Sequence, residues 1–121
     1  MQYLLMIYGD EAADAKRPES EQQKEMNAYF AFTEEVKNAG AFKAGEALHP
    51  TGTATTVRIR GGKLTTTDGP FAETKEQLGG YFLLERKDLD EAIQWAAKSP
   101  HASIGSIEIR PIIDFSQVAS A

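Results

Sequence analysis

The chain reads as α+β: a ferredoxin-like antiparallel sheet with two helices on one face and an extra hairpin. Three observations predict it. Apolar or alternating runs recur at residues 2–8, 41–48, 55–60, 78–85 and 105–113, the pattern of strands. Stretches of helical spacing follow residues 20 and 88, between those runs. Gly61-Gly62 separates two short β-runs, and a type I′ hairpin turn needs positive φ at both central residues. The order strand, helix, strand, hairpin, strand, helix, strand is a split βαβ plan with one insertion. At 121 residues the chain is one domain, 1–121.

The first run, QYLLMIY at 2–8, is unbroken and apolar, as in a central strand covered on both faces. Gly9-Asp10 punctuates it, and the polar, Ala-rich residues 11–18 read as a loop. Ser20 with Gln23 fits a capping box, which opens a helix. Met26, Tyr29, Phe30, Thr33 and Val36 make its apolar stripe, and Gly40 is placed to end it in a left-handed conformation. In the next strand, 41–48, regular alternation puts Phe42, Ala44, Glu46 and Leu48 on one face. A bulge at Gly45 would instead turn Glu46 outward. His49-Pro50 stops the strand, because proline cannot donate to a ladder.

Residues 55–60 and 63–67 are the arms of the hairpin, and Asp68-Gly69-Pro70 is a further turn. Residues 78–85 form another apolar strand, opened by Gly79-Gly80. Asp88 and Glu91 cap a short helix with the stripe Leu89, Ala92, Ile93 and Ala96, and Pro100 ends it. In the last strand Ile107 and Ile109 face one way, Glu108 and Arg110 the other. The tail after Asp114 is small and polar and is expected to fray. If the sheet's second face carries Val57, Leu84 or Ile109, it needs cover, which predicts a homodimer with the two sheets face to face.

Composition excludes several classes. Net charge is −5 with no basic cluster, which argues against direct nucleic-acid binding, where affinity comes from neutralised phosphates. No apolar run approaches the ~20 residues of a membrane helix, and no signal-peptide pattern opens the chain; the expectation is a cytoplasmic protein without membrane contact. There is no cysteine, hence no thiolate nucleophile or zinc ligand. The two histidines, His49 and His101, lie beside prolines and lack metal-site spacing, so no metal is expected. Phosphate-loop, dinucleotide and nucleophile-elbow motifs are absent from the sequence, and no cofactor is expected.

The candidate chemistry gathers around residues 68–81, DGPFAETKEQLGGY. As a turn, Asp68 accepts backbone N–H bonds, Gly69 supplies positive φ, Pro70 fixes φ, and Phe71 anchors the loop in the core. As a site, Asp68 and Glu73 face a pocket lined by Phe71 and Tyr81. Their pKa values would then be pushed apart, leaving one a general base. Lys75 is either solvated or a point charge for a substrate carboxylate. Gly79-Gly80 serves a bulge or close packing, or the close approach of a ligand or partner. Glu46, if on the apolar face, is paired with Arg58, Arg60 or Arg110, or has a raised pKa and transfers protons. Tyr29 is core or pocket lining. His49 and His101 are surface groups or proton shuttles.

The segment 68–81 resembles the DGPF-domain branch of the YCII-related superfamily. The opening YLLMIYGDE, the AGEAL stretch at 44–48 and the closing IEIRP at 107–111 are similar to the same branch. The resemblance implies a ferredoxin-like, dimeric α/β-barrel fold related to muconolactone isomerase. It also implies genomic association with extracytoplasmic-function sigma factors, and in at least one relative dehalogenation of a muconolactone-type substrate. A proposed catalytic His–Asp pair, with the His on the first helix, goes with that superfamily; residues 20–39 here contain neither His nor Asp. Two functions follow. One is binding or proton-transfer chemistry on a small aromatic or lactone-type acid, as an isomerase or dehalogenase. It would use Asp68, Glu73, Glu46 and His49 as acid–base groups, with Phe71, Lys75, Tyr81, Tyr29 and His101 holding the ligand. The alternative is a non-catalytic regulator acting with a sigma factor.

Overall fold

The computed structural model describes residues 1–116 and has the expected order, with added short helices. Strand β1 (Gln2–Gly9) leads to α1 (Glu11–Ala15), α2 (Glu19–Asn38) and β2 (Phe42–Ala47). After a 3-10 turn at Thr51–Thr53 come β3 (Thr55–Arg60), β4 (Lys63–Asp68) and β5 (Gln77–Glu85). Helix α3 (Leu89–Lys98), a second 3-10 turn at Pro100–Ala102 and β6 (Ser106–Pro111) complete the order. The main sheet runs β2-β5-β1-β6 with every neighbour antiparallel. With the hairpin set aside this is the ferredoxin-like strand order. Of the tail expected to fray, residues 117–121 lie outside the described residues.

Strand β1 is central, but its two faces differ. Tyr3, Leu5 and Ile7 are buried against the helices, while Leu4, Met6 and Tyr8 are half-buried on the other face. The core sits between sheet and helices, with Phe32, Val36, Phe82, Leu84, Ala92 and Ala96 completing it. Leu84 is fully buried and Ile109 packs on that core, so neither belongs to the second face. Val57 is not in the main sheet at all. The residues on the second face are instead Leu4, Met6, Tyr81 and Leu83.

Both helical stripes are rotated from their expected positions. Helix α2 buries Phe32 and Val36 and half-buries Tyr29 and Thr33, leaving Met26 and Phe30 exposed. The buried set still follows i, i+3, i+4, i+7 spacing; it starts at Tyr29 rather than Met26. In α3, Ala92 and Ala96 are buried with Trp95 beside them, while Leu89 and Ile93 are about half exposed. No capping box forms at Ser20. The helix starts one residue earlier behind Pro18, whose φ of −55° already suits that entry, and no side chain caps it. Residues 11–15 are helical because Asp10 caps them, its Oδ1 accepting from Ala13 N–H at 3.1 Å. Asp88 caps α3 in the same way, accepting from Glu91 N–H.

Gly40 (φ 73°) ends α2, and Gly61 and Gly62 (φ 57° and 76°) make the hairpin turn. The bulge in β2 falls between Phe42 and Ala44, not at Gly45. It puts Phe42 and Gly45 on the helix face, where a Cβ on Gly45 would meet the Phe82 ring at 2.8 Å. Glu46 then pairs with Tyr81 on the opposite face and is exposed. Strands β3 and β4 form a separate two-stranded arm that packs extensively only against itself. Phe71, just beyond it, is 79% exposed and does not anchor its loop in the core.

Candidate functional site

A cavity of about 700 Å³ lies between α2 and the helix-facing side of the sheet. Its walls are largely apolar: Ile7 from β1, Phe82 from β5 and Phe30 from α2. Gly45, Gly79 and Gly80 line the sheet side. Glu11, Asp14, Tyr29 and His101 supply polar groups at one end, and Lys37 borders the cavity from the last turn of α2. A concave apolar space with a few convergent polar groups is the usual form of a small-molecule site.

The polar end is a connected network. The Tyr29 hydroxyl lies 2.5 Å from His101 Nδ1. His101 Nε2 is 3.1 Å from Glu25 Oε1 and 3.7 Å from Asp14 Oδ2. Arg17 Nη1 bonds Glu25 Oε2 at 2.7 Å and sits 3.5 Å from Asp14 Oδ1. Burial raises the Tyr29 pKa above the usual phenol value, and the Glu25 carboxylate raises it further; the His101 backbone amide opposes them. Tyr29 therefore keeps its proton and donates to Nδ1. With Nδ1 accepting from Tyr29, the ring proton lies on Nε2, 3.1 Å from the Glu25 carboxylate that can accept it. Arg17 is held charged, chiefly by its bond to Glu25.

The raised Tyr29 value gives a signed prediction. A proton held more tightly in the folded state stabilises the fold fully below the ordinary phenol pKa. That stability is lost as pH rises above it. In a near-ultraviolet tyrosinate titration, one of the four tyrosines will ionise later than the others, and Tyr29→Phe will remove that late step. Loss of a different step from the curve would contradict the assignment.

Glycines position His101. The residue lies in the turn Pro100–Ala102, and its carbonyl accepts from Gly105 N–H at 2.7 Å. A Cβ on Gly105 would fall 2.1 Å from the Tyr8 carbonyl oxygen, so only glycine lets this turn lie against the end of β1. A Cβ on Gly9 would meet the His101 ring at 3.0 Å and Asp14 Oδ2 at 3.2 Å. The Gly79-Gly80 pair divides. A Cβ on Gly80 would meet the Glu46 carbonyl oxygen at 2.9 Å, a packing reason. Gly79, at the bulge opposite β1, would meet nothing nearer than the Ile7 carbonyl oxygen at 3.9 Å, and it opens onto the cavity.

Of the residues singled out from sequence, Tyr29 and His101 meet in this network, and Glu46 borders the cavity. Asp68, Phe71, Glu73 and Lys75 are exposed and outside the cavity's lining, in the arm and the loop after it. His49 is exposed, also outside the lining. Tyr81 pairs with Met6 and lies on the sheet face turned from the helices. Sequence reasoning passed over Asp14, Arg17 and Glu25. The available signal was a polar cluster just after β1 with an Asp10 cap and Glu25 on the first turns of α2; nothing local ties it to His101, more than seventy residues later.

The YCII-related domain model matches residues 1–116. An uncharacterised protein of Rhizobium meliloti (strain 1021) is 37% identical over 114 residues, which are 93% of this chain and 92% of that protein. Among solved structures, the chain is similar to 5-chloro-2-hydroxyhydroquinone dehydrochlorinase from Burkholderia phenoliruptrix AC1100 in complex with 2,5-dihydroxybenzoquinone. The TM-score is 0.50 with 14% identity, covering 97% of this chain and 98% of that one. At that identity the likeness shows the fold alone. The family match over nearly the whole chain, with the relative at 37% identity, places the protein in the YCII-related family.

Proposed function

We propose that the cavity binds a small, planar, hydroxylated ring compound and that the Tyr29–His101 pair transfers a proton to or from it. The observation that carries this is His101 held between Tyr29 on one nitrogen and Glu25 on the other, at the wall of an apolar cavity. The Tyr29 oxygen takes a proton from the ligand as Tyr29 passes its own to Nδ1, and the Glu25 and Asp14 carboxylates stabilise the imidazolium that forms. The electron pair released on the ligand shifts within the ring system and takes a proton at a ring carbon, giving a keto tautomer; where that carbon bears chlorine, loss of a second hydroxyl proton supplies the pair that expels chloride, for a net loss of HCl. The dehydrochlorinase of similar fold supports the second outcome. Acid–base work thus falls to a histidine and a tyrosine, with Glu46, Asp68, Glu73 and His49 in no direct role. The reading of action beside a sigma factor draws no support from the fold or the relatives.

Action as a cytoplasmic homodimer is part of the proposal. The half-buried apolar residues Leu4, Met6 and Leu83 on the second face of the sheet support pairing of two copies. No helix among the described residues is long and apolar enough to cross a membrane.

The test uses 2,5-dihydroxybenzoquinone as probe. A ligand that binds only the native state at a hundred times its Kd adds about 2.7 kcal/mol of stability, a readily measured rise in Tm. The wild-type protein will show that rise. Gly79→Val places its side chain in open space inside the cavity, so the unliganded Tm will hold while the rise disappears. An equal rise in both proteins would put the probe elsewhere, and no rise in either would remove planar hydroxylated rings as the ligand class.

A further inference from the structure

We propose that the β3–β4 arm of one copy closes over the cavity mouth of a second copy of this chain, so that each site is completed by its neighbour's arm. The inference rests on reading the cavity as the binding site. An isolated two-stranded hairpin is at best marginally stable in water. This arm has Ile59 opposite Leu64 and Val57 opposite Thr66, which puts one apolar face on it. Val57, Ile59 and Leu64 are 59%, 65% and 67% exposed, and the body of the chain gives them no cover.

Charge says what the arm fits. Its other face carries Arg58, Arg60 and Lys63, on a chain whose net charge is −5. The cavity is bordered by Glu11, Asp14 and Glu34, against one lysine, Lys37. A basic arm on an acidic body is complementary to a second copy of itself, and opposed potentials of this kind steer association. The arm's root also lies at the rim. Glu11 lines the cavity, and its carboxylate accepts from Thr51 N–H at 2.9 Å and from the Thr51 hydroxyl at 2.7 Å. Its N–H donates to Gln77 Oε1 at 2.9 Å. Both ends of the insertion are thus fastened to one residue of the cavity wall, so whatever packs on the arm lies beside the mouth. In a two-fold pair the same contact is made twice, each arm on the other copy.

Sedimentation and paramagnetic labelling test this without a ligand. At tens of micromolar, wild-type protein will sediment at twice 13.3 kDa, and Ile59→Asp with Leu64→Asp, which leaves the sheet faces untouched, will raise the dimer dissociation constant at least tenfold with unchanged circular dichroism. Because the chain has no cysteine, Thr67→Cys gives a single site for a nitroxide with the apolar face intact. Mixed with unlabelled-thiol, nitrogen-15 wild-type chain, it will broaden the amides of Phe30, Glu34 and Ala47 in that second chain. A wild-type monomer, a dimer dissociation constant unchanged by the two aspartates, or no broadening of those three amides in the nitrogen-15 chain would each overturn the proposal. Failure of 2,5-dihydroxybenzoquinone to bind would instead sink the reading of the cavity and leave these results standing.

Discussion

Gly105→Ala will cost the fold about 3 kcal/mol, the upper end of the ordinary range for forcing atoms into a packed site. The added carbon would fall 2.1 Å from the Tyr8 carbonyl oxygen, and that atom is backbone in a central strand, so it cannot swing aside as a side-chain tip would. Two groups can yield. Either the end of β1 shifts, which disturbs its pairing with β6 at Ser106, or the turn at Pro100–Ala102 lifts away. Both carry His101 off Tyr29 and Glu25, because the Gly105 N–H bond to the His101 carbonyl ties turn and strand together. A fall in Tm together with loss of the late tyrosine ionisation is therefore the expected pair of results. Gly79→Ala, one strand away with nothing nearer than 3.9 Å, is the control that will leave Tm close to wild type. Equal Tm values for the two variants would show that the turn is not held where the geometry puts it.

The architecture was legible because its signals are local. Gly61-Gly62 needed only its own turn, Asp88 needed only its own helix, and strand alternation needed only neighbours two residues apart. Where a reading depended on a partner far along the chain, it failed or slipped. Spacing alone fits Met26 to the stripe of α2 as well as it fits Phe32; only packing against Phe82 and Trp95 selects Phe32. The bulge of β2 sits at Lys43, two residues before Gly45, because Phe42 must reach the core beside Phe82. Phe71 is apolar and flanked by turn residues, which suits an anchor in the core or a contact with another molecule equally well. Its exposure excludes the first. The site is the extreme case: Asp14 on α1 and Glu25 on α2 both reach a histidine more than seventy residues further along the chain.

That assembly leads to the prediction with the largest effect on chemistry. If the chain carries out the dehydrochlorination proposed above and the Tyr29–His101 pair moves the proton, His101→Asn will slow chloride release from 5-chloro-2-hydroxyhydroquinone by about 10²- to 10⁴-fold, the usual contribution of a positioned acid–base group. Binding of 2,5-dihydroxybenzoquinone will be little changed, since the apolar walls remain, so the loss will appear in kcat rather than KM. Glu25 acts through His101 and is a positioning residue. Glu25→Gln keeps an oxygen that can accept from Nε2 but removes the charge opposite the imidazolium. A hydrogen bond to a charged group contributes about 1.5–3 kcal/mol, on the order of 10- to 100-fold in rate. Glu25→Gln will fall near the lower end of that range, and Glu25→Ala, which also frees Arg17 from its shortest ion pair at 2.7 Å, near its upper end. Because Asp14 remains 3.7 Å from Nε2, neither change will match His101→Asn. Should Glu25→Gln equal wild type while Glu25→Ala does not, the carboxylate serves only to orient the ring. A His101→Asn protein with undiminished turnover would move the reacting proton to another group altogether.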